Sequence, residues 1–237
     1  MKPQRVTILN NKKEKLVGYL YKGASKTIII ICHGIDPVNG FPGVEDIFAL
    51  YQAAGASVYS FDFSGYGESE GESMLSVKQR DADIKAVLDY FSSRYEDIIL
   101  YGVSFAGVSV AIAAAKYKYV KKLITINGFF TSNPKQLFFL QAIQIALFIT
   151  SHPHLWFELL YIKKHFKPEK ITVPTIIVYG EKDTIVNPKQ SIRFFNKLKT
   201  EKKLLPVPDG DHPLVKKEYL KVTKAVPEWI GQHVVYT

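Results

Sequence analysis

Three short runs constrain this chain more than anything else in it: "TIIIIC" at 27–32, "DIILYGV" at 97–103 and "TIIVYG" at 175–180. None of them alternates apolar with polar residues, as a strand with one wet face would. Short β-branched runs that end beside glycine read as strands buried on both faces, the habit of a parallel sheet. Parallel neighbours need long crossovers, and the intervening segments are built for that. Residues 44–54 are helical in pattern and stop at Gly55. Residues 76–95 carry Val77, Ile84, Val87, Leu88 and Phe91 at helical spacing, and 104–117 is a helix of small residues. Further strands are expected in "ASVYSF", "KKLITING" and "KKLLPVP", and further helices over 188–199 and 219–233, the last kinked or divided at Pro227. A hairpin of 5–9 and 15–21 across "NNKK" comes first. The expected architecture is α/β: a mainly parallel twisted sheet with helices on both faces.

The chain is expected to form a single domain over 1–237, with no internal repeat and no low-complexity linker. One segment breaks the rhythm. Residues 131–167 are long, aromatic and mostly helical in pattern, too long for a simple crossover, and read as an insertion over the sheet.

Composition excludes several classes. Apolar residues make up 47% and charged residues 22%, the proportions of a soluble globular protein. The most apolar segment, 137–149, is interrupted by Gln141 and Gln144 and is too short to span a bilayer. The net charge of +9 comes from lysines scattered along the chain, which favours a solvated surface over a nucleic-acid site. The single cysteine, Cys32, rules out an intrachain disulfide and reads as a buried apolar filler. The N-terminal "MKPQRVTILNNKKEKL" has no signal-peptide apolar stretch, so the expected location is cytoplasmic. No His/Cys/Asp/Glu set has metal-ligand spacing, and neither a metal nor another cofactor is expected.

In an open parallel sheet, ligands bind at the carboxyl ends of the strands. The residues that follow the buried runs are therefore the candidates. After "TIIIIC" comes His33-Gly34-Ile35-Asp36; after "SVYSF", Asp62 and a Gly-rich turn; after "DIILYGV", Ser104; after "TIIVYG", Glu181-Lys182-Asp183; after "KKLLPVPDGD", His212. A serine, an acid and a histidine share one rim. Ser104 alone fits two readings, a nucleophile or the N-cap of an ordinary helix. Asp209 and Asp211 rival Asp183 as the acid, but their nearness in sequence to His212 keeps them from reaching behind its ring.

The order Ser104, Asp183, His212 on this strand pattern resembles the α/β-hydrolase fold over nearly the whole chain. It looks closest to small serine esterases and lysophospholipase-like hydrolases. The family's elbow motif is Gly-x-Ser-x-Gly. Here it reads Gly102-Val103-Ser104-Phe105-Ala106, then Gly107, with alanine at the last place. The resemblance implies a triad of Ser104 as nucleophile, His212 as base and Asp183 as its orienting acid. It also implies an oxyanion hole from the backbone N–H groups of Ile35 and Phe105. Each such donor supplies about 3 kcal/mol in the transition state. His33 is expected to order that loop, and the turn after Asp62 to be structural.

The implied reaction is cleavage of a small-molecule carboxylic ester through an acyl-enzyme. Thioesterase, acyltransferase, monoacylglycerol lipase and peptidase chemistry share the triad, and a non-catalytic binding protein is the alternative class. The insertion is expected to form a small lid whose Phe138, Phe139 and Trp156 line an apolar acyl or aryl pocket. A helix hairpin packed on the sheet, a homodimer contact and a membrane-surface contact are the alternatives for that segment.

Overall fold

The computed structural model describes residues 3–36, 44–72, 75–131 and 154–212. Eight strands form one sheet: β1 (Gln4–Leu9), β2 (Lys15–Tyr21), β3 (Thr27–Cys32), β4 (Ser57–Phe61), β5 (Asp97–Val103), β6 (Val120–Ile126), β7 (Thr175–Gly180) and β8 (Lys202–Val207). Their spatial order is β1-β2-β4-β3-β5-β6-β7-β8. The β1–β2 and β2–β4 pairs are antiparallel and the other five are parallel. The described helices are α1 (Val44–Ala53), α2 (Val77–Ser92), α3 (Ala106–Lys116), α4 (His154–His165) and α5 (Lys189–Lys197).

The unalternating runs do serve two cores. On β3, Ile28, Ile30 and Cys32 enter one cluster, which α2, α3 and α5 cover with Ile84, Leu88, Phe91, Val110 and Phe194. Ile29 and Ile31 enter the opposite cluster, which α1 covers with Phe48 and Tyr51. β5 divides the same way, Ile98 and Leu100 against Ile99, Tyr101 and Val103. Burying each such side chain contributes roughly 1.5–3 kcal/mol, so a polar residue on either face would break the strand's fit. Cys32 is fully buried in the first cluster, and burial pushes its thiol far above the ordinary range. It is a filler, as its position suggested.

Two features position the site. The chain leaves β3 toward β4 on one side and leaves β5 toward β6 on the other. A crevice opens where neighbouring strands send their connections apart, here between the ends of β3 and β5, whose last pair is Cys32 and Gly102. The second feature is how closely α3 lies on β5 and on the turn that follows β6. A Cβ on Gly102 would stand 2.3 Å from Val110 Cγ2, and one on Gly107 2.6 Å from Gly128 Cα. Only glycine permits that approach.

The segment 131–167 is described in its last part. There α4 docks on α2: Ser76 Oγ donates to Glu158 Oε1 at 2.8 Å, and Glu158 Oε2 accepts the Lys78 N–H at 3.0 Å. Glu158 thus helps to cap α2, beside Ser76, whose hydroxyl accepts the Gln79 N–H. The Tyr161 hydroxyl donates to Asp81 Oδ2 at 2.6 Å. The expected pocket residues Phe138 and Phe139, and the expected last helix over 219–233, lie outside the described residues.

Candidate active site

Ser104 follows β5 and does not belong to the helix expected over 104–117. Its φ is +51°, a left-handed conformation, and α3 starts two residues later at Ala106. The N-cap is Phe105, which makes no side-chain cap bond. A serine N-cap would have extended backbone and aim its hydroxyl at the helix amides. Ser104 does neither. The left-handed turn costs a non-glycine residue about 1–2 kcal/mol, and three bonds hold it. The Ser104 N–H donates to Ile126 O, and Ser104 O accepts from the Gly107 and Phe129 N–H groups, each at 2.9 Å. The hydroxyl itself has no hydrogen-bond partner among the described residues. Ala106, the departure from the glycine motif, is fully buried and opens α3 without disturbing the turn.

Gly34 faces this serine. A Cβ on Gly34 would lie 3.0 Å from Ser104 Cβ, so the β3 loop and the elbow meet in near contact. The expected oxyanion donors, the amides of Ile35 and Phe105, flank this meeting point in sequence. Neither amide has a hydrogen-bond partner among the described residues.

Asp183 and His212 come together from the ends of β7 and β8. His212 Nδ1 lies 2.9 Å from Asp183 Oδ2. The Asp183 side chain is 1% exposed and that of His212 12%. The other carboxylate oxygen, Oδ1, accepts the Ile185 and Val186 N–H groups at 2.8 and 2.7 Å. Of the rival acids, Asp209 pairs with Lys182 at the surface, and the backbone carbonyl of Asp211 accepts from Asn127; the described carboxylate partner of His212 is Asp183. No described hydrogen bond joins His212 to Ser104.

Several residues at the site escaped the sequence reading. Asn127, just past β6, is buried, with φ at +45°. Its Oδ1 accepts the Gly180 N–H at 2.7 Å and its Nδ2 donates to Asp211 O at 3.0 Å, tying the acid's strand to the histidine's loop. Arg80, on α2, is 1% exposed and donates to the carbonyls of His33 and Gly34 at 2.9 and 2.6 Å. Burial draws its pKa down from the ordinary value, against an opposing pull led by Tyr66.

His33 orders the loop as expected. Its Nδ1–H donates to Gly34 O at 3.1 Å and its Nε2 accepts the Phe63 N–H at 3.0 Å. Those two bonds require the neutral ring. Burial, and then the Arg80 charge, lower its pKa from 6.5 to about 3. The turn after Asp62 wraps that carboxylate, whose Oδ2 accepts the Glu68 N–H. Trp156, the described member of the expected pocket, is 52% exposed on α4, next to Phe157 at 71%. Among the described residues no group of His, Cys, Asp and Glu could hold a metal ion, and no helix is long and apolar enough to cross a membrane.

The family model "Serine aminopeptidase, S33" matches residues 23–166. The chain belongs to this family, and its fold is the α/β-hydrolase fold. Among similar proteins, an uncharacterised membrane protein of Saccharomyces cerevisiae is 24% identical over 215 residues, 88% of this chain and 73% of that protein. Human alpha/beta hydrolase domain-containing protein 17B is 25% identical over 183 residues, 76% of this chain and 58% of the relative, so this chain spans little more than half its length. Among solved structures, Est1E of Butyrivibrio proteoclasticus with ferulic acid bound superimposes with a TM-score of 0.79 at 22% identity, covering 97% of this chain and 99% of the other. That likeness is one of fold.

Proposed function

We propose that the protein is a serine carboxylesterase that acts on small to medium apolar acyl or aryl esters. The observation that carries the reading is the Asp183–His212 hydrogen bond at 2.9 Å. With Nδ1–H committed to the carboxylate, the lone pair of His212 sits on Nε2, free to take a proton. Ser104 lies on the same rim, and its hydroxyl has no hydrogen-bond partner among the described residues.

The steps follow from the chemistry of these groups. Ser104 Oγ attacks the ester carbonyl carbon as His212 Nε2 removes the hydroxyl proton. The buried Asp183 carboxylate stabilises the imidazolium that forms. The carbonyl oxygen, now anionic, accepts from the Ile35 and Phe105 N–H groups. Collapse breaks the carbon–oxygen bond to the alcohol, which leaves with the proton from His212, and Ser104 keeps the acyl group. Water, deprotonated by His212, attacks the acyl carbon in the second half and releases the acid and the free serine.

The Est1E structure, of the same fold, has ferulic acid bound, an aromatic carboxylic acid, and esters of such acids are therefore candidate substrates here. The apolar, aromatic sequence over 131–167 is what supports an apolar acyl pocket, with Phe138 and Phe139 its proposed lining residues. The buried reduced Cys32 fits a cytoplasmic location. A panel of p-nitrophenyl esters of increasing acyl length, with methyl ferulate, tests the reading. Hydrolysis that is lost in His212→Ala supports it. Hydrolysis unchanged in that variant, or none with any ester, overturns it.

A further inference from the structure

Arg80 presents a physical problem that fold stability does not solve. Desolvating a guanidinium costs several kcal/mol, and a cation so placed ordinarily has a carboxylate partner. Arg80 forms no ion pair among the described residues, and its Nε is buried without a hydrogen-bond partner. The helix position would be filled at less cost by leucine or methionine. Besides the Tyr66 side chain, its further hydrogen-bond partner, and the more distant charge of Asp83, what the guanidinium holds is one loop. Nη1 bonds His33 O and Nη2 bonds Gly34 O, the two consecutive carbonyls that precede Ile35.

The geometry of the peptide unit makes that grip consequential. Gly34 C=O and Ile35 N–H belong to one planar trans peptide and point in opposite directions. Fixing the oxygen toward Arg80 therefore aims the Ile35 N–H away from it. Gly34 O is held by a second donor, His33 Nδ1–H, so rotating the plane would break two hydrogen bonds. A cation on the carbonyl oxygen also polarises the peptide and strengthens its N–H as a donor. The guanidinium centre lies 4.4 Å from the Phe63 ring, 5.1 Å from that of Tyr66 and 5.0 Å from that of Phe105. Phe105 carries the other proposed donor. One side chain on α2 thus touches both halves of the hole.

We infer that Arg80 is a positioning residue for the oxyanion hole: its forked hold on the His33 and Gly34 carbonyls, and its contact with the Phe105 ring, set the two donor amides. The inference rests on the esterase reading. Lysine cannot take its place, because a single ammonium nitrogen does not reproduce a planar fork spanning two carbonyls.

The test compares Arg80→Met and Arg80→Lys with the parent, each counted by titration of reactive serine with a fluorophosphonate. Arg80→Lys keeps the charge and much of the stem, and so remains informative where Arg80→Met fails to fold. For an oxyanion defect, kcat per titrated site on a p-nitrophenyl ester falls about 100-fold while KM changes less than about threefold. Affinity for a trifluoromethyl ketone, which forms a tetrahedral oxyanion on Ser104, falls in parallel with kcat. A merely structural role would lower thermal stability and the titrated fraction and leave kcat per site unchanged. Either variant with kcat per site and ketone affinity within threefold of the parent overturns the inference. A parent protein that takes up no fluorophosphonate at Ser104 overturns the esterase reading itself, and the inference with it.

Discussion

The two oxygens of Asp183 have separate tasks: Oδ2 faces His212 Nδ1 at 2.9 Å, and Oδ1 is bound by the Ile185 and Val186 amides at 2.8 and 2.7 Å. This division predicts what Asp183→Asn does. Two backbone donors oblige the amide oxygen to take the Oδ1 place, so the NH2 group faces the histidine. The ring must then accept at Nδ1 and carry its proton on Nε2, the wrong tautomer for a base. Activity on a p-nitrophenyl ester is expected to fall roughly 10⁴-fold with the fold intact, the scale seen for a triad tautomer switch. A loss under tenfold in folded protein would detach Asp183 from the reaction.

The left-handed backbone of Ser104 predicts a trade between stability and activity. At φ +51° a serine is strained and a glycine is not. Ser104→Gly is expected to be about 1 kcal/mol more stable than Ser104→Ala, since both lack the hydroxyl and only alanine keeps the strain. Urea unfolding of the pair measures it. Equal midpoints would mean that the turn is not held as described.

His33 predicts the acid side of the stability profile. Burial lowers its folded pKa from 6.5 to about 3. Between those values the unfolded chain binds a proton that the folded chain does not. The neutral ring's contribution is therefore fully present above the unfolded pKa and is lost as pH falls. The slope approaches roughly 1.4 kcal/mol per pH unit within that window. Urea titrations from pH 7.5 to 5 should show it, and His33→Gln, with no proton to gain, should flatten the profile by that amount. Identical slopes in the two proteins would contradict a neutral buried His33.

Asn127 predicts a linked defect. Asn127→Ala leaves the Gly180 N–H and the Asp211 carbonyl without their present partners and puts alanine at positive φ. Unmade buried hydrogen bonds cost about 1–3 kcal/mol each, so the melting temperature should fall by several degrees. Catalysis should fall as well, because the loop that carries His212 loses its tie to β7. Full activity per folded molecule would show that the tie serves stability alone.

The sheet was legible in the sequence because its strands carry their own signature. "TIIIIC" cannot be half-wet, and β3 indeed feeds two cores. Asp183 and His212 were legible because strand ends in a parallel sheet converge on one rim. Backbone sign was not legible. Ser104 alone fits a nucleophile or a cap, with a helix expected from 104, and nothing in the letters reveals φ +51° or a helix that begins at Ala106. Arg80 escaped because a charged residue on an amphipathic helix ordinarily points to water. Here it turns inward onto carbonyls that lie 46 and 47 positions away in the chain. Asn127 escaped because "KKLITING" reads as strand to its end, and nothing in the letters points to a positive φ or to two long-range bonds there.

The central claim is that Ser104 is an activated nucleophile, and covalent labelling tests it most directly. The purified protein is treated with a fluorophosphonate at neutral pH and examined by intact mass and peptide mapping. The account predicts one adduct per chain, on the peptide carrying Ser104, absent from Ser104→Ala and strongly slowed in His212→Ala. No adduct on the parent protein, or the same adduct on Ser104→Ala, would contradict it.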